Sequence, residues 1–202
     1  MKYLYKISLV MVILFSGCKA SLKREYGIKE PKLENKTTIN EFLISKKIDN
    51  SNIYIFKNLM AYAQASNKKI LNIPDAIFFN KYGHFVSYKK TAKDCNAKID
   101  DFLTDLEGFS KLPSDPTQKM DELLTLVTNG MNSNPVKNEI TVFITWAVFA
   151  GKLNDEKAFN WLKLLEEAKS KGIKVSYYLL NCDIQESWNL SEEELKSLGI
   201  VK

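Results

Sequence analysis

The stretch that decides the fold runs from residue 140 to residue 180. It opens with Ile140-Thr-Val-Phe-Ile-Thr-Trp146, a nearly continuous apolar and β-branched run typical of a central strand buried on both faces. Asn154 or Asp155 then caps a helix whose apolar residues recur at helical spacing and which ends before Gly172. Val175-Ser-Tyr-Tyr-Leu-Leu180 is a second apolar run of strand length. These lengths predict a βαβ unit, with parallel strands and a right-handed crossover.

The chain before this unit predicts a β-hairpin followed by a helix. The run Ile73-Pro-Asp-Ala-Ile-Phe-Phe79 is a short apolar strand introduced by a proline, and Gly83 can adopt the positive φ that a tight turn needs. His84 to Tyr88 then returns as the second strand. Asp94 can cap a helix whose inward face carries four apolar residues at helical spacing, namely Ile99, Phe102, Leu103 and Leu106.

Both halves resemble the thioredoxin family. The strand ending in Trp146-Ala147, its helix and the strand after it look like the strand, active-site loop, helix and strand that open a thioredoxin fold. The segment with Pro74, the Gly83 turn and the helix after Asp94 resembles the second half of that fold, in which a cis-proline precedes a hairpin and a terminal helix. The resemblance implies an α/β, thioredoxin-like three-layer sandwich with a central mixed sheet flanked by helices. Because the halves occur in reverse order, two explanations stay open: a circularly permuted domain, or a chance likeness in another α/β sandwich.

The loop after the first strand departs from the family. Thioredoxins carry a Cys-x-x-Cys pair shortly after the Trp-Ala pair, where a helix N-terminus lowers the pKa of the attacking thiol. Aligning Trp146-Ala147 puts Ala150 and Leu153 at those two positions, and neither can form a thiolate. The resemblance therefore implies a redox-inactive domain. It also implies a peptide-binding groove lined by Trp146, Phe149 and Pro74, although Trp146 could equally be a core residue.

The two thiols that the family motif does not account for are Cys95 and Cys182. Two such thiols can form a disulfide in an oxidising compartment, but buried free cysteines also behave as small hydrophobic residues. Asp94 and Asp183 stand beside them, and a neighbouring carboxylate raises the pKa of a thiol. A thiol-dependent oxidoreductase or peroxidase that uses Cys95 or Cys182 is the enzymatic alternative.

We expect neither a metal nor a cofactor. His84 is the only histidine, no Cys/His cluster has zinc spacing, and no glycine-rich phosphate loop is present. Asp94, Asp100, Asp101 and Asp105 fall on one predicted helix, where carboxylates usually serve as a solvated polar face. Acidic residues alternate with lysines along the chain, which argues against nucleic-acid binding.

The first eighteen residues resemble a bacterial lipoprotein signal. Lys2 and Lys6 precede a short apolar run that is too short to span a bilayer, and Leu14-Phe-Ser-Gly-Cys18 resembles a lipobox. The resemblance implies cleavage after residue 17 and acylation of Cys18 with palmitate-type chains, which would anchor the protein firmly. An ordinary secreted protein is the alternative. Cleavage removes two lysines, so the formal charge falls from +5 to +3.

The sequence thus predicts a signal peptide over residues 1–17, a flexible lipidated tether over 18–38, and a thioredoxin-like domain over 39–202. We expect a membrane-anchored lipoprotein of the bacterial envelope that faces the periplasm and acts as a binding or assembly module for an envelope protein or peptide. A structural adaptor in an envelope complex is a further alternative. Lys19 follows Cys18 where an aspartate would favour the inner membrane, so the outer membrane is the expected location.

Overall fold

The computed structural model describes residues 23–67, 71–87, 100, 103, 106–129 and 135–200. The strands are β1 (Leu33–Glu34), β2 (Ile53–Phe56), β3 (Asp75–Asn80), β4 (His84–Val86), β5 (Ser114–Lys119), β6 (Val127–Asn129), β7 (Ile140–Trp146), β8 (Val175–Asn181) and β9 (Ile184–Gln185). The described α-helices of six or more residues are α1 (Lys36–Ser45), α2 (Leu59–Asn67), α3 (Met120–Leu126), α4 (Phe159–Ser170) and α5 (Glu192–Ser197), and Leu106–Lys111 forms a 3₁₀ helix. A single π-helical turn, Asn154–Ala158, leads into α4. No helix in these ranges is long and apolar enough to cross a membrane.

Seven of the described strands form one mixed sheet in the order β5-β4-β3-β7-β8-β2-β6. β7 pairs with β8 in parallel from Ile140↔Val175 to Trp146↔Asn181, and β2 extends the parallel part on the other side of β8. β3 runs antiparallel along β7 from Asp75↔Thr145 to Asn80↔Ile140. The predicted βαβ unit and hairpin are confirmed, and the two halves share one sheet. The fold class is therefore α/β with a mixed sheet.

Helices cover both faces of this sheet because the central strands are apolar on both sides. On one face, α1 and α4 pack over β7 through Leu43, Trp161 and Leu165, which are fully buried. On the other face, α2 and α3 pack over Phe143, Leu180 and neighbouring apolar side chains. Alternate residues of β7 point to opposite faces, so a single strand supplies both cores.

The folded part begins earlier than predicted. The boundary that we expected between residues 38 and 39 falls inside α1, which starts at Lys36 behind a capping box formed by Asn35 and Thr38. Before it, β1 pairs in parallel with β9, and Glu34 is buried. The prediction of a flexible tether is therefore wrong for residues 23–38, and residues 18–22 lie outside the described part of the chain. The composition of residues 23–38 is polar, but the Asn35 side chain accepts from the amides of Thr37 and Thr38, and Glu34 is buried.

Residues 23–32, here called the N-terminal strap, also lie against the domain. The amide of Lys29 donates to the carbonyl of Phe149 at 2.9 Å, and the amide of Lys152 donates to the carbonyl of Tyr26 at 2.7 Å. These two bonds tie the strap to the loop that follows β7. The signal peptide and Cys18 lie outside the described residues.

Two short strands were not predicted. Residues 114–119 carry Pro116 and look like a chain break, yet they form β5, and residues 127–129 form β6. Both are at an edge of the sheet, where a proline costs no ladder hydrogen bond and where strands of only a few residues are common. Local sequence does not identify such strands, because their partner supplies the ordering.

Candidate functional site

The loop after β7 is at the carboxyl end of the parallel strands, the end at which open α/β sheets usually bind ligands. Here that end is closed. Trp146 is fully buried and stacks on Phe42, with ring centroids 5.7 Å apart, while Phe159 contacts it at 5.8 Å. The structure therefore places Trp146 in the core, the alternative that the sequence left open, and it cannot line an open groove.

The other two residues of the predicted groove are close to this loop but do not open it. Pro74 is buried and follows a cis peptide bond, and Phe149 is half-buried. The segment around Pro74 is held by Thr145 of β7, whose hydroxyl donates to the carbonyl of Asn72 at 2.5 Å. The same hydroxyl accepts from the amide of Asp75 at 2.7 Å. The predicted groove of Trp146, Phe149 and Pro74 is thus a packed junction between β3 and β7.

A buried polar cluster occupies the position beside the loop. Its members are the side chains of Asn181, Asp183, Gln185 and Glu34, each at most 2 % exposed. The Asn181 amide donates to the Asp183 carboxylate at 2.7 Å, and the Gln185 amide donates to the Asn181 side-chain oxygen at 3.1 Å. Buried polar groups are stable only when hydrogen-bonded in this way. The cluster fixes the turn between β8 and β9.

The Asp183 carboxylate accepts hydrogen bonds from backbone amides that could otherwise bind an external anion. It accepts from the backbone amide of Val148 at 2.7 Å and from the amide of Phe149, the first residues of the short 3₁₀ turn that holds Ala150. Burial raises the pKa of Asp183 to about 6, opposed by these donors and reinforced by the negative charge of Glu34. The chain itself therefore neutralises the donors that could bind an external anion.

Cys182 is unsuited to thiol chemistry. Its side chain is fully buried, its thiol is free, and its sulfur lies 3.5 Å from the carbonyl of Leu180. Burial raises the pKa of the Cys182 thiol well above its usual value, and the adjacent Asp183 raises it further. The expectation that Asp183 opposes nucleophilicity is confirmed in direction, with burial as the larger cause. Cys95 lies outside the described residues.

The strap covers the outside of the same loop. Gly151 adopts a φ of +60°, and a Cβ there would come within 2.4 Å of the carbonyl oxygens of Tyr26 and Gly27. Only glycine allows this approach. The closed loop is therefore sandwiched between the buried cluster inside and the strap outside.

Of the four aspartates predicted to share one helix, Asp100 is the one that lies among the described residues. Asp100 accepts from the indole of the buried Trp161 at 2.5 Å and forms an ion pair with Lys157 at 3.0 Å. It joins its own segment to α4 and does not form part of a metal site. Asp94, Asp101 and Asp105 lie outside the described residues. In the part of the chain that is described, no three His, Cys, Asp or Glu side chains converge on a metal-sized site.

The polar cluster is not among the sites that the sequence predicts. Asn181-Cys182-Asp183 stands out only for its thiol, and Glu34 falls within the expected tether. The signal that could have identified the cluster was the run of polar residues at the carboxyl end of a buried parallel strand, where they must find partners or face water. Glu34 gave no such signal, since its burial depends on pairing with a strand 150 residues away.

An open groove is present on another surface. It has a volume of about 520 Å³ and lies between α1 and the outer residues of β2, with a floor of Ile39, Ile53 and Ile55. Polar side chains surround this floor, namely Lys36, Asn40, Asn50, Ser51, Thr128 and Asn129. An apolar floor with an amide-rich rim suits an extended peptide, whose backbone needs hydrogen-bond partners and whose side chains need apolar contact.

Comparison with protein-family models, with curated proteins and with solved structures finds no match to this chain.

Proposed function

We propose that this protein is an envelope lipoprotein, anchored through Cys18, whose thioredoxin-like domain has lost redox activity and serves as a peptide-binding or assembly module. The observation that carries the proposal is the pairing of β3 with β7. It brings the two halves that resemble a thioredoxin into one sheet, with the proline segment beside the Trp146-Ala147 loop. This arrangement favours a circularly permuted thioredoxin-like domain over a chance likeness.

Loss of redox activity follows from the residues in the loop. Ala150 and Leu153 stand where the family has thiols, and the Asp183 carboxylate holds the amides that would lower a thiol pKa. The free thiol that the structure describes, Cys182, is buried with a raised pKa. These features support binding over catalysis.

The redox test uses the mature chain in non-acylated form, made by Cys18→Ser. We expect insulin reduction and peroxide consumption to stay at the buffer rate, and to be unchanged by a Cys95→Ser, Cys182→Ser double variant. Activity that the double variant abolishes would establish the thiol-dependent alternative instead. Detection of unmodified Cys18 by mass spectrometry of the native protein would refute the anchor.

The binding test addresses the groove over Ile53 and Ile55. Panning of an extended-peptide library against the non-acylated chain should enrich sequences with alternating apolar residues, because every second side chain of a strand faces the groove floor. Ile55→Arg should abolish this enrichment, since it places an unpaired charge on the floor. The matched control is Ile44→Arg, which changes an isoleucine of α1 that is 66 % exposed and outside the groove. Equal enrichment by both variants would remove the groove from the proposal.

A further inference from the structure

The attachment point of the membrane anchor restricts which side of the domain can face the membrane. This inference rests on the proposed acylation of Cys18. Lys23 already belongs to the strap, so five residue steps separate it from Cys18, and these can span at most about 18 Å. A domain of this size is roughly 40 Å across. The domain therefore cannot turn its far side to the bilayer while the strap stays bound.

The strap is fixed at the carboxyl end of the sheet. Its contacts are with Phe149, Gly151 and Lys152, directly after β7, and its continuation β1 pairs with β9, directly after β8. The opposite end of the sheet carries Tyr82, in the turn between β3 and β4. The length of β7 separates these ends by about 20 Å. The anchor must therefore emerge from the end that carries the strap.

Charge on the strap suits a phosphate surface. The strap has four basic residues, Lys23, Arg24, Lys29 and Lys32, against two acidic ones, Glu25 and Glu30, and Lys152 lies beside it. All seven are exposed, although Lys23 pairs with Glu30 at 2.7 Å and Lys32 lies 3.4 Å from Glu34. The formal charge of this surface, +3, equals that of the whole mature chain. The remainder of the molecule is therefore neutral on balance.

We infer that the strap surface rests on the membrane, with its lysine and arginine side chains among the phosphates of anionic lipid headgroups. Juxtamembrane basic residues are attracted to such a surface, and the attraction falls off within a Debye length. The short linker keeps these residues within that range.

Orientation is measured on the acylated protein in vesicles that contain a headgroup-labelled acceptor lipid. Ser187→Cys places a fluorescent donor at the carboxyl end, and Tyr82→Cys places one at the opposite end, both in a Cys95→Ser background with Cys182 buried. We expect clearly higher energy transfer from position 187, corresponding to a donor about 20 Å nearer to the lipid. Equal transfer from the two positions would overturn the inference even when mass spectrometry shows that Cys18 is acylated.

The role of the strap is tested with Gly151→Ala. The added methyl group meets the strap backbone, so the strap must leave and the linker lengthens to about 14 residues. Transfer from position 187 should then fall towards that of position 82. Unchanged transfer, with the variant folded by circular dichroism, would show that the strap does not set the distance.

The charge contact is tested without the lipid anchor, so its outcome is independent of acylation. Sedimentation with vesicles of phosphatidylcholine and phosphatidylglycerol in a two-to-one mixture should retain the Cys18→Ser chain at low salt, and vesicles of phosphatidylcholine alone should not. Lys29→Glu with Lys152→Glu should weaken retention at least about tenfold. Lys171→Glu with Lys174→Glu, an identical change of net charge at exposed positions at the far end, should not. Equal loss in both pairs would mean that net charge acts instead of this surface.

Discussion

Replacing Trp146 by alanine is expected to lower the free energy of unfolding by about 3–5 kcal/mol, a large part of the total stability of a domain of this kind. The side chain is fully buried between Phe42 and Phe159, so its removal leaves a cavity between α1 and α4. Urea unfolding followed by far-ultraviolet circular dichroism measures the loss without relying on tryptophan fluorescence.

Two further variants separate the core role from a surface role. Trp146→Phe should cost much less than alanine, because it keeps the stacked ring and removes an indole N–H that has no hydrogen-bond partner among the described residues. Tyr82→Ala removes an aromatic side chain that is 69 % exposed and should change stability by no more than about 0.5 kcal/mol. A Trp146→Ala loss as small as that of Tyr82→Ala would mean that the tryptophan faces solvent, as in the groove that the sequence suggested.

Lowering the pH from 7 to about 4 is expected to stabilise the protein through Asp183, by up to about 3 kcal/mol. The pKa of Asp183 is raised to about 6 in the fold by burial, against 3.8 in the unfolded chain. Between these two values the folded protein holds a proton that the unfolded chain has released. Falling pH therefore favours the folded state across this window, and the effect is complete near pH 4.

Other carboxylates act in the opposite direction at lower pH. Hydrogen bonds from Ser51 lower the pKa of Asp49, and those from Thr117 and Ser191 lower the pKa values of Asp115 and Glu194. Their contributions are present above about pH 4.5 and are lost as the pH falls through the folded-state values. Asp49 and Glu194 are exposed and Asp115 is only half-buried, so their effect is small. Maximum stability is therefore expected between about pH 4 and 5.

The variant that isolates this effect is Asp183→Asn. Asparagine keeps an oxygen that can accept from the amide of Val148 but carries no charge, so the rise in stability between pH 7 and pH 4 should disappear. The control is Asp121→Asn, at an exposed carboxylate of α3, which should keep the wild-type profile. Urea titrations at several pH values measure both. A wild-type profile that is flat over this range would contradict the inferred burial of a charged Asp183.

The predictions from sequence succeeded where order is local or where apolar patterning is strong. Ile140 to Trp146 has the bounds that the apolar pattern predicts, and Gly83 adopts the positive φ expected in the hairpin turn. Burial of alternate or continuous apolar side chains is decided within a few residues of each position. The edge strands β5 and β6 could not be predicted in this way, because pairing with a neighbouring strand orders them and their own apolar pattern does not.

At the candidate site too, some features can be predicted from local sequence and others depend on packing between distant segments. The sequence shows aliphatic residues, Ala150 and Leu153, where the resemblance to thioredoxins would place two thiols, and the carboxylate beside Cys182 is a sequence neighbour whose effect on the thiol pKa has a predictable sign. The closure of the loop could not be predicted. It depends on Trp146 turning into the core, which is a matter of packing against α1, more than 100 residues earlier in the chain.

By itself the sequence determined the α/β class, the βαβ unit, the hairpin and the absence of a Cys-x-x-Cys pair. The tertiary structure alone decided that residues 23–38 pack on the domain, that Asp183 and Glu34 share a buried site, and that the strap approaches Gly151. The physical reason is the range of the forces involved. Hydrophobic periodicity acts along the local chain, whereas the fate of a polar side chain depends on which distant backbone or carboxylate the completed fold brings beside it.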